Sequence, residues 1–449
     1  MASLSVRFDR GTLEVEGDAA LDGVIVDARS RSRRTPASRF GAIAAWADAN
    51  ERALGGDLRT GWSAEPRSRA ALDLRPYQEQ ALTAWTAFGR RGVVALPTGA
   101  GKSRVAMAAS LEAGLPTAVL VPTRALAAQW LAELGRWLGE PIGLVGDGRR
   151  EVKRTTVFTF ESAYRYMDTV GDRFGFLVVD EVHHLGGNLR IEALESCAAI
   201  ARLGLTATPP DPSDDLSELV GPVVYELGLE SLVGTHLANL RLVRETVRLD
   251  PAERADYLRL TRSFRELSRA FFASTPGGDY VALSRALGRS PDGRRALRDR
   301  AEGEKLASFP AAKRARVREL LTRHRTEKSV VFTAFAENAY AIGTDNLVPV
   351  IAAETSARER LDVLRRFQEG PLQTIVAARV LNEGIDVPDA SIAIIVAGTL
   401  GRREHIQRIG RVLRPRPGKE AIIYELVTAE TLDVRRAARR VIHAPRSTP

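Results

Sequence analysis

The stretch from Val93 to Met107 constrains the fold more than any other. The apolar run Val93-Val94-Ala95-Leu96 stops in Pro97-Thr98-Gly99-Ala100-Gly101-Lys102-Ser103, and a helical pattern opens at Arg104-Val105-Ala106-Met107. A buried strand that ends in a glycine-rich turn and restarts as a helix aims several backbone N–H groups at one spot, which suits a polyphosphate. In such a loop Lys102 reaches the β- and γ-phosphates and Ser103 ligates Mg²⁺. The string departs from the strict pattern at its first position, where Leu96 replaces glycine. Taken alone, it also fits an ordinary strand-to-helix turn.

A second stretch decides between these readings. The run Phe176-Leu177-Val178-Val179 ends in Asp180-Glu181-Val182-His183, placing two carboxylates at the carboxyl end of a buried parallel strand. Open α/β sheets hold their ligands there. Asp180 suits a metal held through water, and Glu181 suits the orientation of a water that attacks a γ-phosphate. An acidic pair alone fits a helix N-terminus with favourable dipole charges equally well. Together with the glycine loop it reads as a nucleotide site.

The 449 residues suffice for several domains with ample core. No apolar stretch reaches membrane-spanning length, and Met1-Ala2-Ser3-Leu4-Ser5-Val6 lacks the regions of a secretory signal, so the expectation is a soluble cytoplasmic protein with no membrane partner. Cys197 is the sole cysteine, which excludes an internal disulfide and a cysteine zinc site; its apolar neighbours mark it as a core residue. The net charge of +9 is modest, yet residues 252–325 carry 18 Arg and Lys against 9 Asp and Glu, an excess equal to that of the whole chain. This local excess suggests a polyanion partner.

Leu4, Val6 and Phe8 alternate, Asp9-Arg10-Gly11 turns, and Leu13 and Val15 resume the alternation, so the chain opens on a β-hairpin. A helical segment with Phe40, Ile43 and Trp46 follows, and a polar stretch from Gly55 to Pro66 closes a small domain over residues 1–62. Strands then alternate with helices at 93–96, 118–121, 157–160, 176–179 and 203–205, which predicts a parallel-sheet α/β domain over 63–228. A second such series, at 329–332, 374–376, 392–396 and 421–424, belongs to a domain over 229–449. The stripe Tyr257, Leu260, Phe264, Leu267, Phe271 marks an amphipathic helix in a basic insertion at about 251–308.

In this order the pieces resemble the XPB-type DNA repair helicases of superfamily 2, over nearly the whole chain. Leu74-Arg75-Pro76-Tyr77-Gln78 resembles the adenine-reading segment, implying that Gln78 reads the base edge and Arg75 stacks on it. The loop at Pro97–Ser103, the strand end Val121-Pro122-Thr123-Arg124, the Asp180-Glu181-Val182-His183 box and Thr206-Ala207-Thr208 follow in the family's sequence. Residues 381–388, with Gly384 and Asp386, resemble motif V, and 407–414 resemble motif VI.

The resemblance implies two RecA-like domains, a small α+β N-terminal domain associated with damage recognition, and a helical thumb-like insertion. It implies ATP and Mg²⁺ as nucleotide and metal, Arg411 and Arg414 as charge stabilisers across the cleft, Gln407 near the γ-phosphate, and His183, Thr206 and Thr208 as coupling residues. Thr123, Arg124, Thr159 and Thr333 are implied phosphate grips on DNA, with Arg124 equally readable as a surface charge.

The implied activity is a DNA-dependent ATPase moving 3′ to 5′ and opening or remodelling damaged or forked DNA, as a monomer with a nuclease as one possible partner. One departure stands out. After Thr208 the family's Arg-Glu-Asp element is replaced by Pro209-Pro210-Asp211-Pro212-Ser213-Asp214-Asp215, with three prolines, three acidic residues and no arginine. That keeps two other readings open: a double-stranded DNA translocase without strand separation, and an ATP-gated clamp that recruits a nuclease.

Overall fold

A computed structural model of the chain describes residues 4–17, 20–28, 30–56, 58, 62–68, 72–185, 191–207, 209, 215–228, 231–232, 239–378, 390–397 and 420–439. Those up to 228 form one compact unit and those from 231 a second. Among them, no helix is long and apolar enough to cross a membrane.

The first unit opens with the expected hairpin. Strands β1 (Leu4–Asp9) and β2 (Thr12–Glu16) pair antiparallel, with Val6 opposite Val15 and Phe8 opposite Leu13. Arg10 and Gly11 take positive φ in the turn, the conformation that a tight hairpin demands. With β3 (Ile25–Val26), β4 (Arg33–Pro36) and β5 (Leu54–Gly55), they form a sheet in the order β3-β4-β2-β1-β5. Helix α1 (Phe40–Ala49) covers it, burying Phe40, Ile43, Ala44 and Ala47.

This small sheet is packed onto the larger α/β sheet of the same unit. Trp62 lies edge-on against Phe40 at 5.4 Å and donates its indole N–H to the Asp172 carbonyl at 2.7 Å. A Cβ on Gly11 would lie 2.6 Å from Ser196 Oγ. The hairpin turn is therefore pressed against the α/β layer, and only glycine fits both the backbone angle and the space.

The larger sheet contains β6 (Arg91–Ala95), β7 (Thr117–Val121), β8 (Gly143–Gly146), β9 (Arg149–Glu151), β10 (Thr155–Thr159), β11 (Phe176–Asp180), β12 (Ala201–Thr206) and β13 (Val223–Glu226). Their order is β13-β6-β12-β11-β7-β10-β8-β9, and every pairing is parallel except β8 with β9. Helix α2 (Pro76–Ala87) precedes β6, and the helices between the strands include α3 (Lys102–Ala113), α4 (Arg124–Leu138) and α5 (Phe160–Val170). Five of the strands match the apolar runs of the sequence. The other three were not expected: β8 is four residues long with a glycine at each end, β9 is exposed along its length, and β13 is a partly exposed edge strand.

In the second unit, β14 (Asn239–Val247) leads into helices α6 (Pro251–Ser274), α7 (Tyr280–Gly288) and α8 (Pro291–Ser308). Then come α9 (Ala311–Arg323), β15 (Ser329–Thr333), α10 (Ala336–Asn346), β16 (Val350–Ile351), α11 (Ala357–Glu369), β17 (Thr374–Ala378), β18 (Ile392–Ile395), β19 (Glu420–Thr428) and α12 (Leu432–Arg439). All six strands are parallel, in the order β14-β19-β18-β15-β17-β16. The two sheets give the chain its architecture: two RecA-like α/β halves with a small N-terminal α+β element and a helical insertion.

The stripe on α6 is a packing seam. Tyr257 and Thr261 are buried against α8, where a Cβ on Gly303 would meet Thr261 at 3.0 Å and Leu260 at 3.4 Å. On the outward side Arg254, Arg259 and Arg262 pair with Glu430, Asp256 and Glu266. Much of this helix's positive charge is thus balanced at its own surface.

Arg202 is the most heavily bonded side chain beneath the larger sheet. It is fully buried at the start of β12, and its guanidinium donates to the carbonyls of Ala199, Leu194, Leu219 and Cys197. Burial pulls its pKa down to about 10, which leaves it charged at neutral pH. Arg202→Met deprives four buried carbonyls of their donor at once, and should lower stability by about 3–5 kcal/mol. Urea unfolding followed by tryptophan fluorescence measures the change.

Candidate nucleotide site

The phosphate-type loop is built from three sides. Leu96 is still hydrogen-bonded to the Thr206 carbonyl at 2.9 Å as the chain leaves β6. Gly99 and Gly101 take positive φ, of 86° and 76°, and α3 starts at Lys102. Behind the loop, Tyr77 Oη and Gln78 Nε2 on α2 both donate to the Ala100 carbonyl at 2.8 Å. Gln78 also reaches the Gly101 carbonyl at 3.3 Å, and its Oε1 accepts the Arg75 N–H at 2.9 Å. The Arg104 N–H also donates to the Gly101 carbonyl at 3.0 Å, which leaves the amides at the very start of α3, at Lys102 and Ser103, as the helix N-terminus that suits a phosphate.

A Cβ on Gly101 would sit 2.6 Å from Gln78 Nε2, so α2 and the loop touch at a residue that must be glycine. In this structure Gln78 is buried and both ends of its amide are engaged, so it ties α2 to the loop. Arg75 is half-buried and donates to Tyr77 Oη at 3.1 Å.

Lys102 and the strand-end carboxylates converge. Lys102 Nζ donates to the Leu96 carbonyl at 3.3 Å and lies 3.9 Å from Glu181 Oε1. Asp180 is buried at the end of β11; its Oδ1 accepts the Glu181 N–H and its Oδ2 accepts the Trp130 indole N–H, each at 2.9 Å. Burial, then the neighbouring Glu181 charge, push the Asp180 carboxyl up to about 6, against the pull of Lys102.

Glu181 itself is held at φ 51° and ψ 47°, a left-handed conformation that costs a non-glycine residue on the order of 1 kcal/mol or more. Its Oε2 is buried without a hydrogen bond, and so is Thr98 Oγ1 in the loop. His183 Nδ1 stands 3.6 Å from that Glu181 oxygen and 3.0 Å from Thr206 Oγ1, joining the ends of β11 and β12. Ser103 lies in the first turn of α3. Cationic, anionic and orphaned polar groups are thus collected at the carboxyl ends of parallel strands, a setting for phosphoryl chemistry.

Residues 71–211 match the family model "Type III restriction enzyme, res subunit", and 312–416 match "Helicase conserved C-terminal domain". The chain is 35% identical over 385 residues to the DNA 3′-5′ translocase XPB2 of Sulfurisphaera tokodaii, covering 84% of this chain and 86% of that protein. The chain belongs to the XPB-type helicases of superfamily 2. A DNA 3′-5′ helicase XPB of Mycobacterium tuberculosis is 29% identical, with 85% of this chain and 68% of that one covered. The Pyrococcus furiosus Hef helicase domain shares the fold, with a TM-score of 0.52 at 18% identity over 83% of this chain and 98% of that one.

The remaining expected site residues of this XPB-type chain fall into two groups. Thr123 caps α4, accepting the Leu126 N–H at 3.3 Å, and the exposed Arg124 pairs with Asp147 at 2.9 Å. Thr159 caps α5 and is bonded to Ser162. Thr333, on the second unit, is fully buried, so its side chain has no face open to a phosphate in this conformation. Thr208, Gly384, Asp386, Gln407, Arg411 and Arg414 lie outside the described residues, as do Pro210–Asp214.

Sequence reasoning missed Tyr77 and Trp130. Tyr77 was legible as the neighbour of Gln78. Trp130 shares the buried face of α4 with Ala127 and Leu134, and a buried indole needs an acceptor. Gln78→Ala cuts the tie between α2 and the loop. It should cost about 1–3 kcal/mol of stability and speed amide exchange at Gly101 and Lys102, read by hydrogen–deuterium exchange.

Proposed function

We propose that this chain hydrolyses ATP with Mg²⁺ and uses the turnover to move 3′ to 5′ on DNA, opening or remodelling damaged or forked duplexes. The observation that carries this reading is the convergence of Lys102, Asp180 and Glu181 beside the glycine loop, with Lys102 Nζ 3.9 Å from Glu181 Oε1. The relatives' names supply the direction of travel and the nucleic acid.

In this reading Lys102 and the loop amides hold the β- and γ-phosphates. Gln78 and Arg75 meet the adenine, for which the Gln78 amide would have to loosen its hold on the loop. The Glu181 carboxylate orients a water and accepts its proton as the water oxygen bonds to the γ-phosphorus and the bond to the ADP oxygen breaks. His183, Thr206 and Thr208 couple that event to neighbouring strands, and Thr123, Arg124 and Thr159 face the DNA backbone. Gly384, Asp386, Gln407, Arg411 and Arg414 enter on family membership alone.

The residues present fit a magnesium ion. No group of three or more metal-ligating side chains gathers among the described residues, and Mg²⁺ takes one or two carboxylates and completes its shell with phosphate and water. Asp180 and Ser103 would hold it, and it would supply charge neutralisation on the phosphates.

The domain limits proposed with this function are 1–62, 63–228 and 229–449, with the insertion at about 251–308. The protein would act as a cytoplasmic monomer with a nuclease as its protein partner.

Translocation on duplex DNA without strand separation is a second reading, favoured by the proline-rich acidic stretch at 209–215 in place of the family's Arg-Glu-Asp element. Strand displacement on a forked duplex with a 3′ tail, with ATP turnover followed in the same tube, tests both. Displacement requiring ATP establishes the helicase; DNA-stimulated turnover without displacement establishes the translocase. Lys102→Ala should abolish turnover while DNA affinity stays within several-fold, and undiminished hydrolysis would overturn the site.

The Asp180 carboxyl near 6 makes a second prediction. Metal binding requires the carboxylate, so a proton must leave below that pH. The Mg²⁺ half-saturation of turnover should rise by about tenfold per pH unit below pH 6 and stay flat above it. Titrations of Mg²⁺ at fixed ATP between pH 5 and 8 measure it.

A further inference from the structure

Three tryptophans in the first unit have buried, hydrogen-bonded indoles, and one differs in its acceptor. Trp62 donates to the Asp172 backbone carbonyl and Trp85 to that of Arg202. Trp130 donates instead to a side-chain carboxylate, Asp180 Oδ2, at 2.9 Å. A hydrogen bond to a carboxylate is charge-assisted and roughly twice as strong as a neutral one.

Asp180 is thereby gripped from two elements. The Glu181 N–H on Oδ1 comes from the next residue and turns with the strand end. The indole comes from α4, where Trp130 is 2% exposed and packed beside Ala127 and Leu134. One bond on each oxygen fixes the plane of the carboxylate, and an ionised carboxylate still has a lone pair left on each oxygen. Without the indole, the Glu181 amide is the one remaining hydrogen bond to the carboxylate among the described residues.

We propose that Trp130 is a positioning residue of the hydrolytic centre, its indole N–H fixing Asp180 so that the remaining lone pairs face the metal–nucleotide complex in one orientation. This rests on the reading of Asp180 as the metal-side carboxylate. Trp130 acts through Asp180 and supplies no ligand of its own to the metal or the phosphates. Its effect therefore appears in metal affinity and leaves nucleotide affinity in the absence of metal alone.

The test uses the full chain, Mn²⁺ as the metal and ADP as the nucleotide. Trp130→Phe keeps an aromatic ring in the seam and deletes the donor. Trp130→His is smaller but restores it, because the imidazole Nε2 takes the place of the indole Nε1 in the five-membered ring. Mn²⁺ affinity of the ADP complex is read from the loss of the free-ion paramagnetic resonance signal, and metal-free ADP affinity by calorimetry.

Trp130→Phe should weaken Mn²⁺ by about tenfold and leave metal-free ADP binding within about twofold, with Trp130→His recovering most of the loss. Unchanged Mn²⁺ affinity in Trp130→Phe overturns the proposal. So does an equal fall in metal-free ADP affinity, which marks a packing role, or a Trp130→His variant as weak as Trp130→Phe. A wild-type chain that neither binds Mn²⁺ with ADP nor hydrolyses ATP removes the nucleotide-site reading itself, an outcome distinct from an indifferent Trp130.

Discussion

Two carboxylates held side by side at the end of one buried strand repel each other, and Lys102 is the cation set against them. Asp180 is 7% exposed, so water screens that repulsion only weakly. The chain tolerates the arrangement by engaging both Asp180 oxygens and by twisting Glu181 into a left-handed backbone. A polyphosphate with a divalent cation is the partner that such a cluster suits, since it brings negative charge to the lysine and positive charge to the carboxylates.

Around this cluster the rest of the first unit acts as a frame. The β6, β11 and β12 ends carry the loop, the carboxylates and Thr206, and parallel pairing brings them to the same edge of the sheet. Gln78 and Tyr77 hold the loop from behind. At the opposite ends of the strands, Arg202 gathers carbonyls from the connections before β12 and β13. Arginine in this protein is as much a structural donor as a surface charge, so a count of arginines overstates what is free for a polyanion. The pairing of Arg254, Arg259 and Arg262 on α6 makes the same point.

Membership of the XPB-type family accounts for the motor and its two α/β sheets. It does not account for the stretch at 209–215, whose prolines stiffen the chain and whose acidic residues would repel a phosphate backbone. That stretch is where this chain departs in sequence from the family's Arg-Glu-Asp element.

By itself the sequence determined the fold class and the position of the nucleotide loop and acidic box. Fully buried parallel strands are continuous apolar runs, and phosphate loops need glycines at set places, so both leave marks in a single chain. The opening hairpin was legible for the same reason, through its alternation. Strands β8, β9, β13 and β14 were not, because they are short, glycine-bearing or at edges, where burial imposes little pattern. Only the tertiary structure decided that Gln78 grips the loop, that Thr333 is enclosed, that Arg124 meets Asp147, and that an indole fifty residues from Asp180 holds its carboxylate. Those facts depend on which helix face meets which strand end, and hydrogen bonds between distant elements have no spacing rule along the chain.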